Sequence, residues 1–380
     1  MRSLLLHIGP HKTGTTAVQG AFHVSRDRLA AHGIHYAGET RQRFRAALAA
    51  VGSPGPKGQP PPDRASWDAL ITEITTADED CIVLSSEAFA GADDATARRI
   101  VGELGDRPVH VVVTLRPLAK IAPSQWQQMV QNGLRAPYDR WLAKVFNDAD
   151  DRSVSDTFWR RHDHAGLIAR WIPVVGAENL TVIAVDDSDR GGVLRSFEQL
   201  LGLPTGVLES PVELTNRSLT WGEVELIRAI NRAAAKEEWP ERYFGKVLHA
   251  GVIDAMKKER KPAAKERKIS TPRWALERAA RIGVETVEMV TSSGVNVIGD
   301  LSILTTMPTD PTLVRENDEP QPREVPIRAA MLAVLGAVRG LDSYWAPKAV
   351  TSAAAAKRGG TTMPERIRKK ADRLRRRAGS

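Results

Sequence analysis

The stretch Leu4-Leu5-Leu6-His7-Ile8-Gly9-Pro10-His11-Lys12-Thr13-Gly14-Thr15-Thr16-Ala17-Val18-Gln19 decides how the chain is read. A short apolar run ends at Gly9, and a tight loop carrying Lys12 follows. Thr15 and Thr16 then open a segment with Val18, Ala21 and Phe22 at helical spacing. That order predicts a buried strand, a loop and a helix. The start of a helix leaves N–H groups without intrahelical partners and adds the positive end of the peptide dipoles. Gly9 and Gly14 allow the backbone to turn and to approach a ligand closely. Lys12 supplies a mobile full charge, and the hydroxyls of Thr13, Thr15 and Thr16 supply donors. The stretch predicts a cradle for a phosphate-like anion. Plain helix capping is the competing reading of a Gly-Thr-rich turn.

Working outward, short apolar runs alternate with helical spacing. Ala65 to Thr76 reads as a helix and Cys81 to Leu84 as a strand. Asp93 is placed to cap a helix running to about Leu104. Val109 to Leu115 has the composition of a strand near the centre of a parallel sheet. A helix from Leu118 to Asn132 follows, then helical segments at Tyr138–Phe146 and Asp156–Trp171, a strand at Asn179–Val185, and a helix at Leu194–Leu201. Such alternation predicts an α/β fold, a central parallel sheet flanked by helices. From Trp221 to about Ser292 the chain reads as mainly helical, and Val295 to Leu301 as a late strand or an extended segment. The expected organisation is a body over residues 1–306, a Pro-rich linker over 307–326, an amphipathic helix region over 327–346 and a basic, disordered tail over 347–380.

Composition narrows the class. Hydrophobic residues make up 42% and charged residues 26% of 380, as in ordinary globular proteins. The first residues are too short and too polar for a secretory signal, and no later run approaches a membrane span. Cys81 is the single cysteine, so no intrachain disulfide can form, and a cytoplasmic location is expected. The net charge is +8, but Lys357 to Arg377 alone holds ten basic and two acidic residues. Removing these from 54 basic and 46 acidic leaves 44 of each sign, so the body is formally neutral and no nucleic-acid partner is expected. The tail suits contact with an anionic membrane at its inner face, or simple solvation.

The spacing of the opening loop separates two anion-binding classes. A nucleoside-triphosphate loop, G-x-x-x-x-G-K-[ST], has its lysine after the second glycine. Here Lys12 precedes Gly14, and Thr15 stands where that lysine would be. The pattern G-x-x-K-T-G-T-T resembles instead the 5′-phosphosulfate loop of sulfotransferases that use 3′-phosphoadenosine 5′-phosphosulfate (PAPS). The segment Val113-Thr114-Leu115-Arg116-Pro117-Leu118-Ala119-Lys120-Ile121-Ala122-Pro123-Ser124 resembles that family's second signature: a strand, an R-P turn, and a serine eight residues after the arginine. The resemblance is specific at residues 7–19, 82–89 and 111–132. It implies a P-loop-like sulfotransferase fold with a helical C-terminal half and a basic tail. It implies PAPS as co-substrate, with no metal. Gly9, His11, Lys12, Thr13, Gly14, Thr15 and Thr16 would hold its 5′ end, and Arg116 with Ser124 its 3′-phosphate. A guanidinium suits a pair of phosphate oxygens. The family's late Arg-Lys-Gly element has no match in the body.

Sulfuryl transfer to a hydroxyl needs a base for the acceptor's proton and a cation for the departing oxygen. Leu84-Ser85-Ser86-Glu87 resembles the strand end of the family's glutamate branch, which makes Glu87 the base and Lys12 the cation; His11, inside the loop, is the rival base. His7, His35, His162 and His164 read as packing or surface residues. The amide-rich run Gln125 to Asn132 is placed to line a polyhydroxyl acceptor site or to form a helix face over Trp126 and Met129. The expected activity is transfer to a hydroxyl of a carbohydrate, glycolipid or other small acceptor by direct in-line displacement. Two alternatives remain: a magnesium-dependent kinase with Asp186 as metal ligand, and a non-catalytic nucleotide-binding protein.

Overall fold

Leu4, Leu5 and Leu6 show why the opening run is a central strand: all three are buried, Leu4 and Leu6 toward one face of a sheet and Leu5 toward the other. The computed structural model describes residues 2–40, 44–55, 60–147, 156–189, 191–210, 217–240, 244–317, 319 and 324–345. From β1 (Ser3–His7) the chain passes through the Gly9–Gly14 loop into α1 (Thr15–Val24), α2 (Arg26–Ala30) and β2 (Ile34–Tyr36). Then come α3 (Phe44–Val51), α4 (Ala65–Thr76), β3 (Cys81–Ser85), α5 (Asp94–Glu103), β4 (Val109–Leu115) and α6 (Leu118–Gln131). Next are α7 (Tyr138–Phe146), α8 (Asp156–His162), α9 (His164–Val175), β5 (Leu180–Ala184) and α10 (Gly192–Leu200). The last third holds α11 (Trp221–Lys236), the π-helical α12 (Phe244–Ile253), α13 (Asp254–Glu259), β6 (Thr271–Pro272), α14 (Arg273–Ser292), β7 (Asn296–Ile298), β8 (Val314–Arg315) and α15 (Ile327–Trp345).

The main sheet has the order β2-β3-β1-β4-β5-β7, and every pairing is parallel. The protein is therefore an α/β fold with a central parallel sheet between helices. Leu4, Leu6, Ile82, Leu84, Val111, Val113 and Leu115 pack with α3, α4, α5 and α9 on one face. Leu5, Val83, Val112 and Ile183 pack with Val18, Ala21, Phe22 and Phe197 on the other. A third core joins α6, α7, α8, α11, α12, α13, α14 and α15 around Trp126, Tyr138, Trp141 and Trp221. Because the strands are parallel, β1, β3 and β4 end on the same edge, with His7 beside Ser85 and Val112. An open α/β sheet binds its ligands at that edge.

Two expectations are refined. The segment Asp156–Trp171 is two helices, because Asp163 interrupts it and its side chain accepts from Gly166 N to start α9. Within 307–326, expected as a linker, β8 pairs with β6, and Arg315 is buried and paired with Asp139. The basic tail lies outside the described residues. Among the described residues no helix is long and apolar enough to cross a membrane.

Candidate functional site

The loop after β1 is fixed from below by a buried polar network. His7 Nδ1 meets Ser85 Oγ at 2.8 Å, and His7 Nε2 meets Thr114 Oγ1 at 3.3 Å. Thr114 Oγ1 also pairs with Thr13 Oγ1 at 2.7 Å, and Thr13 Oγ1 donates to Pro10 O at 2.7 Å. His7, Thr13, Ser85 and Thr114 are fully buried, so each bond is hard to replace. Burial holds the His7 imidazole neutral, with its pKa lowered to about 3. Gly9 crosses directly above this network, and a Cβ there would overlap both Thr114 Oγ1 and His7 Nε2. Lys12 adopts φ 70° and Gly14 φ 92°, which turns the chain over the edge of the sheet. No side chain caps α1, and no acid stands in its first turn. The start of α1 therefore stands at the loop mouth with no side-chain cap over it.

Charges from four separate parts of the chain converge here. Lys12 Nζ donates to Gln128 Oε1 of α6 at 3.2 Å. Arg116, just past β4, donates from Nη1 to the Lys12 carbonyl at 3.3 Å and from Nε and Nη2 to Asp187 at 3.0 and 2.7 Å. Lys120 joins the same Asp187 carboxylate at 3.0 Å. The Lys12 ammonium has its pKa lowered by burial first and then by the charge of Lys257, with Glu87 opposing and Arg161 and Arg116 adding to the effect. Burial likewise lowers Arg161 on α8 and Lys257 on α13. Among the described residues no carboxylate lies within ion-pair distance of Lys12 or Arg161, or of Lys257. Glu87 opens the short helix Glu87–Gly91 after β3, and its Oε2 accepts from Gln19 Nε2 at 3.1 Å. The same Gln19 nitrogen reaches Ser85 O at 3.3 Å, which ties α1 to the end of β3.

The structure thus brings Gly9, His11, Lys12, Gly14, Thr15, Thr16, Glu87 and Arg116 to one edge. Ser124 follows on α6, half-buried. Thr13 is corrected as a ligand donor: its hydroxyl is sealed beneath the loop and spent on Pro10 and Thr114. Thr15 Oγ1 also turns inward, toward Pro10 O at 3.5 Å. For His11, burial and then the charges of Arg161 and Lys12 bring the pKa to about 3, so its imidazole is a poor proton acceptor. Of the amide run, Gln128 alone of the four glutamines bonds to a site residue. Gln127 accepts from Leu219 N, Gln131 donates to Gln127 O, and Gln125 is buried. Asp186 accepts from Ser188 in an exposed turn, and among the described residues no group of three or more His, Cys, Asp or Glu is placed to hold a metal ion.

Sequence reasoning did not single out Gln19, Arg161 or Lys257, and it gave Gln128 a place on the acceptor side rather than beside Lys12. The one available signal was charge in an apolar setting: Arg161 follows Phe158-Trp159, and Lys257 follows Ala255-Met256, all buried. No family model matches the chain, and no curated protein matches it. Among solved structures it is similar to a sulfotransferase from Alicyclobacillus acidocaldarius, at 18% identity and a TM-score of 0.39, over 64% of this chain and 99% of that one.

Proposed function

We propose that the protein is a sulfotransferase that takes its sulfuryl group from PAPS and delivers it to a hydroxyl of a carbohydrate, glycolipid or other small acceptor. The observation that carries this reading is the convergence on one sheet edge of an uncapped helix start, the lysine of a G-x-x-K-T-G-T-T loop, and the arginine of an R-P turn. The donor set suits a nucleotide that is anionic at both ends: loop amides, Lys12, Arg161 and Lys257 at one end, Arg116 and Ser124 at the other. PAPS, when bound, supplies an activated sulfuryl group on a phosphosulfate. Lys12 then stands ready to neutralise the oxygen that departs. Glu87 takes the acceptor proton on a carboxylate whose Oε2 is oriented by Gln19. Gln128 holds the Lys12 ammonium and limits its swing.

The test is a screen of hydroxylated acceptors with labelled PAPS, alongside calorimetry with adenosine 3′,5′-bisphosphate. Label transfer that survives EDTA is expected. Transfer from ATP that stops with EDTA would move the protein to the kinases. Nucleotide binding without turnover on any acceptor would leave a binding protein in which Glu87 is idle.

A further inference from the structure

We infer that the outward face of α15, together with the basic segment beyond it, docks the protein on the surface of an anionic lipid bilayer. The inner face of this helix is seated on the body with little space. A Cβ at Gly336 would overlap the Gly251 carbonyl, and one at Gly340 would overlap the Lys246 carbonyl, so the α12 and α15 backbones are in contact. Ala329, Leu332 and Ala333 complete that buried side. The opposite side is apolar and open: Ile327 is 88% exposed, Val334 64%, Met331 52% and Val338 51%, with Leu335 and Leu341 beside them. The only other exposed residues on the described part of the helix are Arg328, Arg339 and Asp342, and Arg339 is paired with Glu259. A rigidly held helix thus shows a long apolar stripe to the outside.

The sequence C-terminal to the stripe decides its occupant. The chain runs on from Trp345 through residues 346–380, where Lys357 to Arg377 carries ten basic and two acidic residues. An apolar helix face alone binds membranes weakly, and so does a basic cluster alone; together they make the two-part signal that holds a protein at an anionic surface. A second copy of the chain is the other occupant to weigh, because Ile327, Met331, Val334, Val338 and Leu341 fall at alternating spacings of four and three. That pattern spans only two heptads, short of the roughly three to four that sustain a coiled coil. Leu335 widens it beyond a seam, and parallel pairing would bring two strongly basic segments together. Complementary charge favours the bilayer.

The experiment is vesicle co-sedimentation of the full chain, with vesicles of phosphatidylcholine alone or of equal parts phosphatidylcholine and phosphatidylglycerol. One variant carries Val334→Gln, Leu335→Gln and Val338→Gln. These positions are exposed, and neutral glutamine separates apolar contact from charge. A second carries glutamine at Lys369, Lys370, Arg373, Arg375, Arg376 and Arg377. The wild-type chain should sediment with the anionic vesicles only, and each variant should bind roughly tenfold more weakly while melting like the wild type. Equal sedimentation of the stripe variant, or none by the wild type, overturns the inference. A dimer in solution that the stripe variant dissolves gives the face to a second copy. A tail protected from protease without vesicles, and exposed in the stripe variant, gives it to residues 346–380. Both results refute the bilayer. No arm depends on turnover, so the outcome is independent of the proposed reaction.

Discussion

Gly9→Ala is the sharpest perturbation of the loop. The added methyl would sit closer than 3.0 Å to both Thr114 Oγ1 and His7 Nε2, nearer than real Cβ contacts come. Neither neighbour can step aside cheaply. Thr114 is held by Thr13 and His7 by Ser85, and all four side chains are fully buried. Overpacking of this kind costs about 1–3 kcal/mol, and each buried hydrogen bond that breaks adds about 1 kcal/mol more. A total near 3 kcal/mol lowers the Tm of a protein this large by roughly 6 °C or less. The larger effect is on the loop, because the displaced backbone carries Lys12 with it. A shift of about 1 Å in a positioned group costs on the order of a hundredfold in rate. Thermal melting by tryptophan fluorescence reads the first quantity, and calorimetry with adenosine 3′,5′-bisphosphate shows whether the cradle still closes on a nucleotide. A Gly9→Ala protein with wild-type melting would mean that the His7–Thr114–Thr13 network yields freely. The account of the loop as a preformed cradle would then be wrong.

Lys12→Ala should lower turnover by about 10²–10³ while the Tm is kept, since among the described residues the side chain makes a single hydrogen bond, to Gln128; near-normal turnover would remove it from the chemistry. Glu87→Gln should lower kcat by roughly 10²–10⁴ and leave nucleotide affinity within a few fold, and a loss of affinity instead would assign Glu87 to binding. Acid should destabilise the fold, because buried His7 and His164 have pKa values of about 3 and 4 and buried His162 lies well below its ordinary value. The unfolded chain takes up protons as pH falls below about 6.5 and the folded chain does not, so stability is full above that value and declines below it, by about 1 kcal/mol per histidine at pH ~5.5. Urea midpoints at neutral and mildly acid pH measure this. In His162→Phe, which removes two ring nitrogens that have no hydrogen-bond partner, the slope should shrink by about a quarter or less, since His7, His11, His164 and His110 also lie below their ordinary value.

How legible the chain was depends on where each signal is stored. β1, β3, β4 and β5 read clearly, because strands in the middle of a parallel sheet are buried on both faces and appear as unbroken apolar runs. β2 was missed. It has three residues, and His35 at its centre points out to Glu73. β7 stayed ambiguous between strand and extended segment, because Asn296 and Val297 on the sheet edge are exposed and carry no burial signature. The path from β1 through the loop into α1 was readable, since its glycines and the helix start lie within eight consecutive positions. Gln19 and Gln128 were not, because a glutamine on a helix acquires a role only from the neighbour that packing supplies: Glu87 for one, Lys12 for the other. Thr13 failed in the opposite sense. The sequence offers three threonines as equivalent donors, and only the fold sends this one beneath the loop.

The charge balance gives the site its meaning. The body of the chain is formally neutral, yet it gathers Lys12, Arg116, Arg161 and Lys257 about one edge where Glu87 is the opposing charge felt by Lys12. Elsewhere this fold pairs its buried and half-buried cations closely: Arg260 with Glu223 and Glu266, Arg217 with Glu223, and Arg315 with Asp139. At the edge Arg116 is paired with Asp187, but among the described residues the other three are not. Lys12, Arg161 and Lys257 are held where burial works against their charged forms, and among the described residues none has a carboxylate in ion-pair reach. Desolvated positive charge without a partner is a standing cost to the folded state. An anion beside Lys12 would relieve that cost there and, through the field the three share, lessen it at Arg161 and Lys257. The same burial would strengthen each contact to the phosphosulfate of the proposed reaction, and most of all to the oxygen that gains charge during transfer. An arrangement that is poor for stability and good for an anion is what the proposed sulfuryl transfer would need.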